Sequence, residues 1–185
     1  QEELIYITAY LNSEVNGQLV KCLSPGIHYN TGYIGLSPMG DSFDKKEDVL
    51  KLANECIRIT KHEWNSKETS WHFGFSPLIQ EEENLETCYE DWYKRMNDEF
   101  FNLLNYEEKL NRIFIDIYGL QEELTPEVAL KDITILQDEL KKKDLKALED
   151  SFRANGGNPI ELPIDKGEVI SQFISYAIGL FMGRY

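Results

Sequence analysis

The 185-residue sequence predicts a mainly α-helical protein, a helical bundle or helical spacer with a short irregular or β-containing segment near its N-terminus. Three observations predict it. In 79–104, Leu85, Tyr89, Trp92, Met96, Phe100 and Leu103 recur at spacings of three and four, with Glu82, Glu83, Glu86, Glu90 and Glu99 on the opposite face. That is the period of an amphipathic helix. Asp44 and Glu47, Asn105 and Glu108, and Asp165 and Glu168 each have the spacing of a capping box, in which two side chains satisfy the first free amides of a helix. The stretch SPGIHYNTGYIGLSPMG (24–40) is rich in the residues that make turns.

Taken in order, Leu4, Ile5, Ile7, Leu11, Val15 and Leu19 give one or two helices over 3–23, weakened at Asn16-Gly17. Residues 24–40 read as loop with extended pieces at 27–29 and 33–36. Asp44 opens a helix over 45–58, followed by a loop-like run, KHEWNSKETSWHF (61–73), ending at Ser76-Pro77. The helix over 79–104 either continues through Asn105 or restarts there, with Leu110, Ile113, Phe114 and Ile117 inward. Gly119 stops it. Thr125-Pro126-Glu127 has the form of a helix start and predicts a single turn. Residues 135–153 read as a polar helix with a thin stripe of Leu136, Leu140, Leu145, Leu148 and Phe152. Residues 154–157 make a turn, and Asp165 opens a last helix from 166 to 182.

The formal charge is −14. A broad phosphate-binding surface needs clustered Lys and Arg, so nucleic-acid contact is expected to be local or supplied by another part of a larger protein. Cys22, Cys56 and Cys88 form no CxxC pair, which predicts reduced thiols and a cytoplasmic setting. No apolar run reaches the roughly 20 residues that span a bilayer, so no membrane partner is expected. The chain begins at Gln1 and ends directly after an apolar stretch, as if cut from something longer.

Catalytic chemistry is hard to find. His28, His62 and His72 have no nucleophile elbow beside them, and no pair has zinc-site spacing. There is no phosphate loop, and Phe73-Gly74-Phe75 lacks the glycine series of a dinucleotide turn. No catalytic, cofactor-binding or metal-ligating residue is assigned. The paired tryptophans of 61–73 are the informative feature. The plainer reading is packing: Trp64 and Trp71 act as a structural clamp that pins a loop over helices. The sharper reading, a base-stacking platform, needs adjacent positive charge, and Glu63 and Glu68 offset Lys61 and Lys67.

CIRITKHEWNSKETSWHFGFSPLI (56–79) resembles a signature block of the PglX-type adenine-specific DNA methyltransferases of BREX phage-defence systems and of related type IIG restriction-modification enzymes. The block runs as Lys-x-x-Trp, Glu-Thr-Ser-Trp-x-Phe and Pro-Leu, matched by Lys61, Trp64, Glu68, Thr69, Ser70, Trp71, Phe73, Pro77 and Leu78. His72 stands where the pattern has Asp. Three further blocks agree in order: 10–38, with its Leu-Asn-Ser helix and a loop closed by proline; 110–128, with Leu-Asn-x-Ile-Phe-Ile-x-Ile-Tyr-Gly-Leu; and 174–185, with Ile-Ser-Tyr-x-x-Gly-x-x-x-Gly-Arg-Tyr. The segment 135–158 matches none of them and is expected to be a variable insertion.

The resemblance implies transfer of a methyl group from S-adenosylmethionine to an adenine amino group by the full-length protein. The family's Asn-Pro-Pro-Tyr motif and glycine-rich cofactor motif are absent here and are expected upstream. This chain is therefore expected to be a non-catalytic fragment: 1–40 the end of a target-recognition-like region, 41–185 a helical spacer domain. DNA is the expected partner, through the full-length enzyme. The candidate contacts are Lys21, His28, Tyr29, Asn30 and Tyr33, chosen for their place in or beside the 24–36 loop. The alternative from another class is an acidic helical interaction module that docks another defence-system subunit, with Tyr89, Trp92, Met96 and Phe100 as its seam. A nucleic-acid mimic is disfavoured by the lysines at 141–146.

Overall fold

The computed structural model describes residues 1–24, 31–40, 43–79 and 84–185. These hold α1 (Glu2–Leu11), α2 (Glu14–Leu23), α3 (Thr31–Ile34), α4 (Phe43–Asn65), α5 (Leu85–Tyr118), a 3₁₀ turn (Leu130–Asp132), α6 (Lys142–Ala154) and α7 (Lys166–Phe181), with no strand among the described residues. The mainly α prediction holds. Of the two extended pieces, 27–29 lies outside the described residues. The piece at 33–36 is corrected: Tyr33 and Ile34 close α3, and the Gly35 amide bonds to the Thr31 carbonyl at 3.0 Å. With no partner strand among the described residues, the backbone satisfies itself locally.

The other element boundaries have local causes. The first helical stretch divides at Asn12-Ser13 rather than at Gly17, because the Ser13 hydroxyl accepts the Asn16 amide and caps α2. α4 runs seven residues past its expected end at 58, because Ile59 and Glu63 continue its buried face. Trp64 is thus helical, not part of a loop. α5 passes unbroken through Asn105. Its Glu108 carboxylate accepts the Val128 amide at 3.2 Å instead of capping a new start. The turn expected at Thr125-Pro126 is not helical. The Pro126 carbonyl accepts from the Asn111 side chain at 3.2 Å. Residues 135–141 are likewise non-helical, with Leu136 in the left-handed region at φ 57°. The Leu136, Leu140, Leu145 and Phe152 stripe is nonetheless buried.

Two stops fall where the sequence puts them. Gly119, at φ 66°, ends α5 with the Leu120 amide bonded back to Ile115. The Asp165 carboxylate caps α7, accepting from Gly167 at 3.0 Å and Glu168 at 3.3 Å. The reciprocal half of that capping box is replaced: the Asp165 amide donates to the Glu139 carbonyl at 2.8 Å.

The chain forms two compact units, each assembled from two stretches of sequence. Unit 1 comprises Gln1–Ile57 and Leu104–Val128. Unit 2 comprises Arg58–Leu103 and Ala129–Tyr185. A seam at residue 40 is not among their boundaries. Unit 1 is built on Tyr6, Tyr10, Val15, Val49, Ala53 and Phe114, with both tyrosine rings edge-on to Phe114 at 5.8 and 5.7 Å. Unit 2 buries Trp92, Met96, Phe100 and Leu103 from α5 against an interior that includes Ile135, Leu136, Leu140, Leu145 and Phe152. The segment 135–158 therefore supplies core, whatever its variability. The seam expected of Trp92, Met96 and Phe100 is interior, and Tyr89 is half-buried.

Candidate functional site

The four blocks that carry the family resemblance meet in pairs, one pair in each unit. In unit 1, 10–38 closes on 110–128. Tyr10 stacks on Tyr118 with ring centroids 5.8 Å apart and planes 8° from parallel. Both hydroxyls donate to the Pro38 carbonyl, Tyr10 at 2.8 Å, and the Gly40 amide donates to the Tyr118 oxygen at 2.6 Å. Burial, then the Tyr10 hydrogen bond, pushes the Tyr118 hydroxyl well above the usual tyrosine range. Buried Asn111 makes the second tie. Its oxygen accepts the Glu14 amide at 2.9 Å at the start of α2, and its nitrogen donates to Pro126. Few neutral residues can serve a donor and an acceptor on two backbone segments at once.

In unit 2, which holds all of 56–79 but its first two residues, that block closes on 174–185. The Glu68 carboxylate accepts the Tyr185 hydroxyl at 2.6 Å and the Ser175 hydroxyl at 2.7 Å, and Arg184 lies 3.9 Å away. Burial opposes its charge, but the Tyr185 and Ser175 bonds and Arg184 hold the carboxyl below its ordinary range. The Phe73 ring packs on Tyr176 at 5.6 Å and Tyr185 at 5.4 Å. Gly183, at φ 69°, turns the chain after α7, and the Arg184 amide returns to the Gly179 carbonyl at 2.9 Å. Gly179 has no room for a side chain: a Cβ there would stand 2.7 Å from the Tyr185 ring. Ser175, Tyr176, Gly179, Gly183, Arg184 and Tyr185 of the last block thus each have a structural task.

Deeper in unit 2, one ammonium gathers three carboxylates. Lys67 Nζ donates to Glu63 at 2.9 Å and to Asp138 at 2.8 Å, and lies 3.6 Å from Glu139 Oε2. Burial works against the charge of Lys67, yet the bonds to Asp138 and Glu63 and the charge of Glu139 hold its pKa above the ordinary lysine range. Glu63 and Lys67 are four apart on and just beyond α4. Sequence reasoning missed them because it ended that helix at 58. Asp138 and Glu139 had no sequence signal, since only the fold brings them to Lys67.

The tryptophan clamp is corrected. Trp71 is 99% exposed and Trp64 56%, so Trp71 pins nothing among the described residues. The loop is held by smaller residues. Buried Ser70 bonds to Asn65 at 2.9 Å and accepts the His72 amide, Leu78 is buried, and Phe73 makes the ring contacts. Of Glu68-Thr69-Ser70-Trp71-x-Phe73, Trp71 is the large side chain without an internal role.

Of the five DNA-contact candidates, Lys21 is exposed in the last turn of α2. His28, Tyr29 and Asn30 lie outside the described residues, and Tyr33 is placed by its backbone alone, in α3. Among the described residues no three His, Cys, Asp or Glu side chains are grouped to hold a metal ion. No described helix is long and apolar enough to cross a membrane.

No family model matches the chain. Among curated proteins it is 34% identical over 188 residues to the adenine-specific methyltransferase PglX of Lacticaseibacillus casei (strain Zhang), covering 98% of this chain and 13% of that protein. It is 28% identical over 179 residues to the adenine-specific methyltransferase BrxX of Escherichia coli O9:H4 (strain HS), covering 97% and 14%. The chain spans about an eighth of the length of these relatives, and the match runs from end to end of it. The chain is a relative of one segment of the PglX/BrxX adenine-specific methyltransferases.

Proposed function

We propose that this chain is a non-catalytic specificity or spacer segment of an S-adenosylmethionine-dependent, adenine-specific DNA methyltransferase that serves phage defence or restriction-modification. The observation that supports it is the end-to-end similarity to a short stretch of two such long proteins. The two pairs of blocks fit a supporting role, because the polar groups described in them bond to one another across each unit. A segment of this kind holds recognition and catalytic parts in register, and S-adenosylmethionine would be bound elsewhere in the enzyme. Within it, residues 1–40 belong to the target-recognition side and 41–185 to the spacer. Lys21, His28, Tyr29, Asn30 and Tyr33 remain the proposed DNA contacts, through phosphates or groove edges. Replacing Lys21 and Tyr29 in the full-length enzyme should weaken DNA binding. Unchanged affinity at matched salt would remove those contacts from the account.

The decisive test compares three proteins: the full-length gene product, the isolated chain, and the product lacking residues 1–185. The first is expected to methylate adenine in DNA and the second to be inert. The third should still bind S-adenosylmethionine but lose sequence-specific methylation. A full-length product without adenine methylation, or a deletion that changes nothing, would overturn the reading. The second reading, an interaction module for a defence-system protein, is favoured by one observation, the exposure of both Trp71 and Phe75 in the same loop. Its seam would be that loop rather than the buried face of α5.

A further inference from the structure

Unit 2 contains a cavity of about 210 Å³, bordered on one side by Glu68, Phe73 and Tyr176 of the block-to-block closure. Its polar end is the Lys67 cluster, and its walls include Trp92, Phe173 and Tyr176. Thr69 is exposed and the Asp138 side chain is 63% exposed, so these two form its rim. Three features need explanation together. Glu139 is 3% exposed, and its Oε2 atom has no hydrogen-bond partner, although Oε1 accepts from Gln172 at 2.9 Å. At 3.6 Å, Lys67 neutralises that atom only at long range, beyond hydrogen-bond reach. Three carboxylates share one ammonium, which leaves the polar end with a net charge of −2. And Leu136, which lines the same cavity, is held in a left-handed conformation that costs a β-carbon-bearing residue roughly 1–2 kcal/mol. There it donates its amide to Glu63 at 3.2 Å. A buried carboxylate oxygen short of a donor is expensive, and strain of this kind gathers at ligand clamps.

We propose that this cavity is a binding site for a small organic cation, a guanidino group on a short alkyl chain, whose N–H donors complete Glu139 and Asp138 while its plane lies against the aromatic wall. Guanidinium suits the site better than a second ammonium, because it is flat, weakly hydrated and presents several donors in one plane. The volume is below the roughly 300–1,000 Å³ of pockets for drug-sized ligands, which limits the occupant to one such group. The source is either a free alkylguanidine or an arginine side chain of a polypeptide.

The test titrates the chain with agmatine, with N-acetylarginine amide and with its neutral urea isostere N-acetylcitrulline amide, and follows the Trp92 indole signal by NMR and the heat by calorimetry. The expected result is saturable one-to-one binding of a guanidino compound that moves Trp92, with the citrulline compound inert. Agmatine alone binding assigns a free small molecule, and the arginine amide alone assigns a polypeptide side chain. Glu139→Gln should weaken binding at least tenfold. Asp138→Asn, on the rim, should keep the fold and weaken it several-fold, so the test survives if the buried variant does not fold. No saturable movement of Trp92, equal binding of the citrulline compound, or undiminished binding by Asp138→Asn would each overturn the proposal.

Discussion

Units 1 and 2 are closed by the same device in different chemistry. In unit 1 the two blocks meet through neutral, largely buried groups: the stacked Tyr10 and Tyr118 over Pro38, and Asn111 between Glu14 and Pro126. In unit 2 they meet through a charged and partly exposed set, Glu68 with Ser175, Tyr185 and Arg184. Neutral buried ties are sensitive to geometry and insensitive to salt. A carboxylate at the surface contributes less and yields to acid and to ionic strength. The comparison teaches that the residues of a block can be accounted for by holding the fold, and that the one side chain left over from such a block points outward. Trp71 is that residue.

The largest expected effect is in unit 1. Phe114 is fully buried under Tyr6 and Tyr10, so Phe114→Ala should cost about 3–5 kcal/mol in denaturant unfolding. A cost below 1 kcal/mol would mean this core is not built as described. Next comes a pH effect on the same unit. Burial pushes Glu107 up to about 7 from an ordinary 4.5, and burial followed by the Glu107 charge pushes Cys56 up to about 12. A carboxyl whose pKa is raised by folding favours the folded state while protonated. Its contribution is lost as pH rises from about 4.5 through about 7. Glu107→Gln should therefore gain on wild type over that window, by on the order of 2–3 kcal/mol above neutrality. A flat difference between the two pH profiles would contradict it.

Asn111→Ala leaves a donor and an acceptor without partners and should cost about 1–3 kcal/mol, read by thermal unfolding. The cost should be independent of salt. In unit 2, Gly179→Ala drives Tyr185 off Glu68. Because Tyr185 is 45% exposed, the stability cost should be only about 1 kcal/mol. The sharper readout is the Glu68 carboxyl, whose pKa should rise toward the ordinary range by NMR titration, since a donor to its charged form is gone. An unmoved pKa would break the proposed closure. The smallest effect is Trp71→Ala in the isolated chain, within about 0.5 kcal/mol of wild type.

How much of this was legible follows from how local each signal is. Gly119 and Asp165 were read correctly because a helix stop and a helix cap are decided within a few residues. The stripe of α5 was read because its period extends over about five turns, although Leu85 at its head is exposed. The end of α4 was missed because the residue that continues its inward face is Glu63, whose burial is explained only by Lys67 and by the amide of Leu136. The non-helical run 135–141 was missed for the same reason: its leucines keep a helix-like spacing while a tertiary bond holds Leu136 at φ 57°. The block pairings were visible as ordered motifs but not as contacts, since nothing in one block names its partner. Trp71 was misread because a large aromatic in a motif suggests burial, and burial is a property of the fold, not of the residue.

The central claim is that unit 2 holds itself closed without Trp71, and the exposed ring is proposed as a contact surface for another part of the full-length enzyme. The most direct test is adenine methylation by the full-length gene product carrying Trp71→Ala, with unfolding of the isolated variant as its control. The account predicts wild-type stability together with a loss of methylation of at least tenfold. Wild-type methylation in a wild-type-stable variant would contradict it and return Trp71 to the ordinary surface.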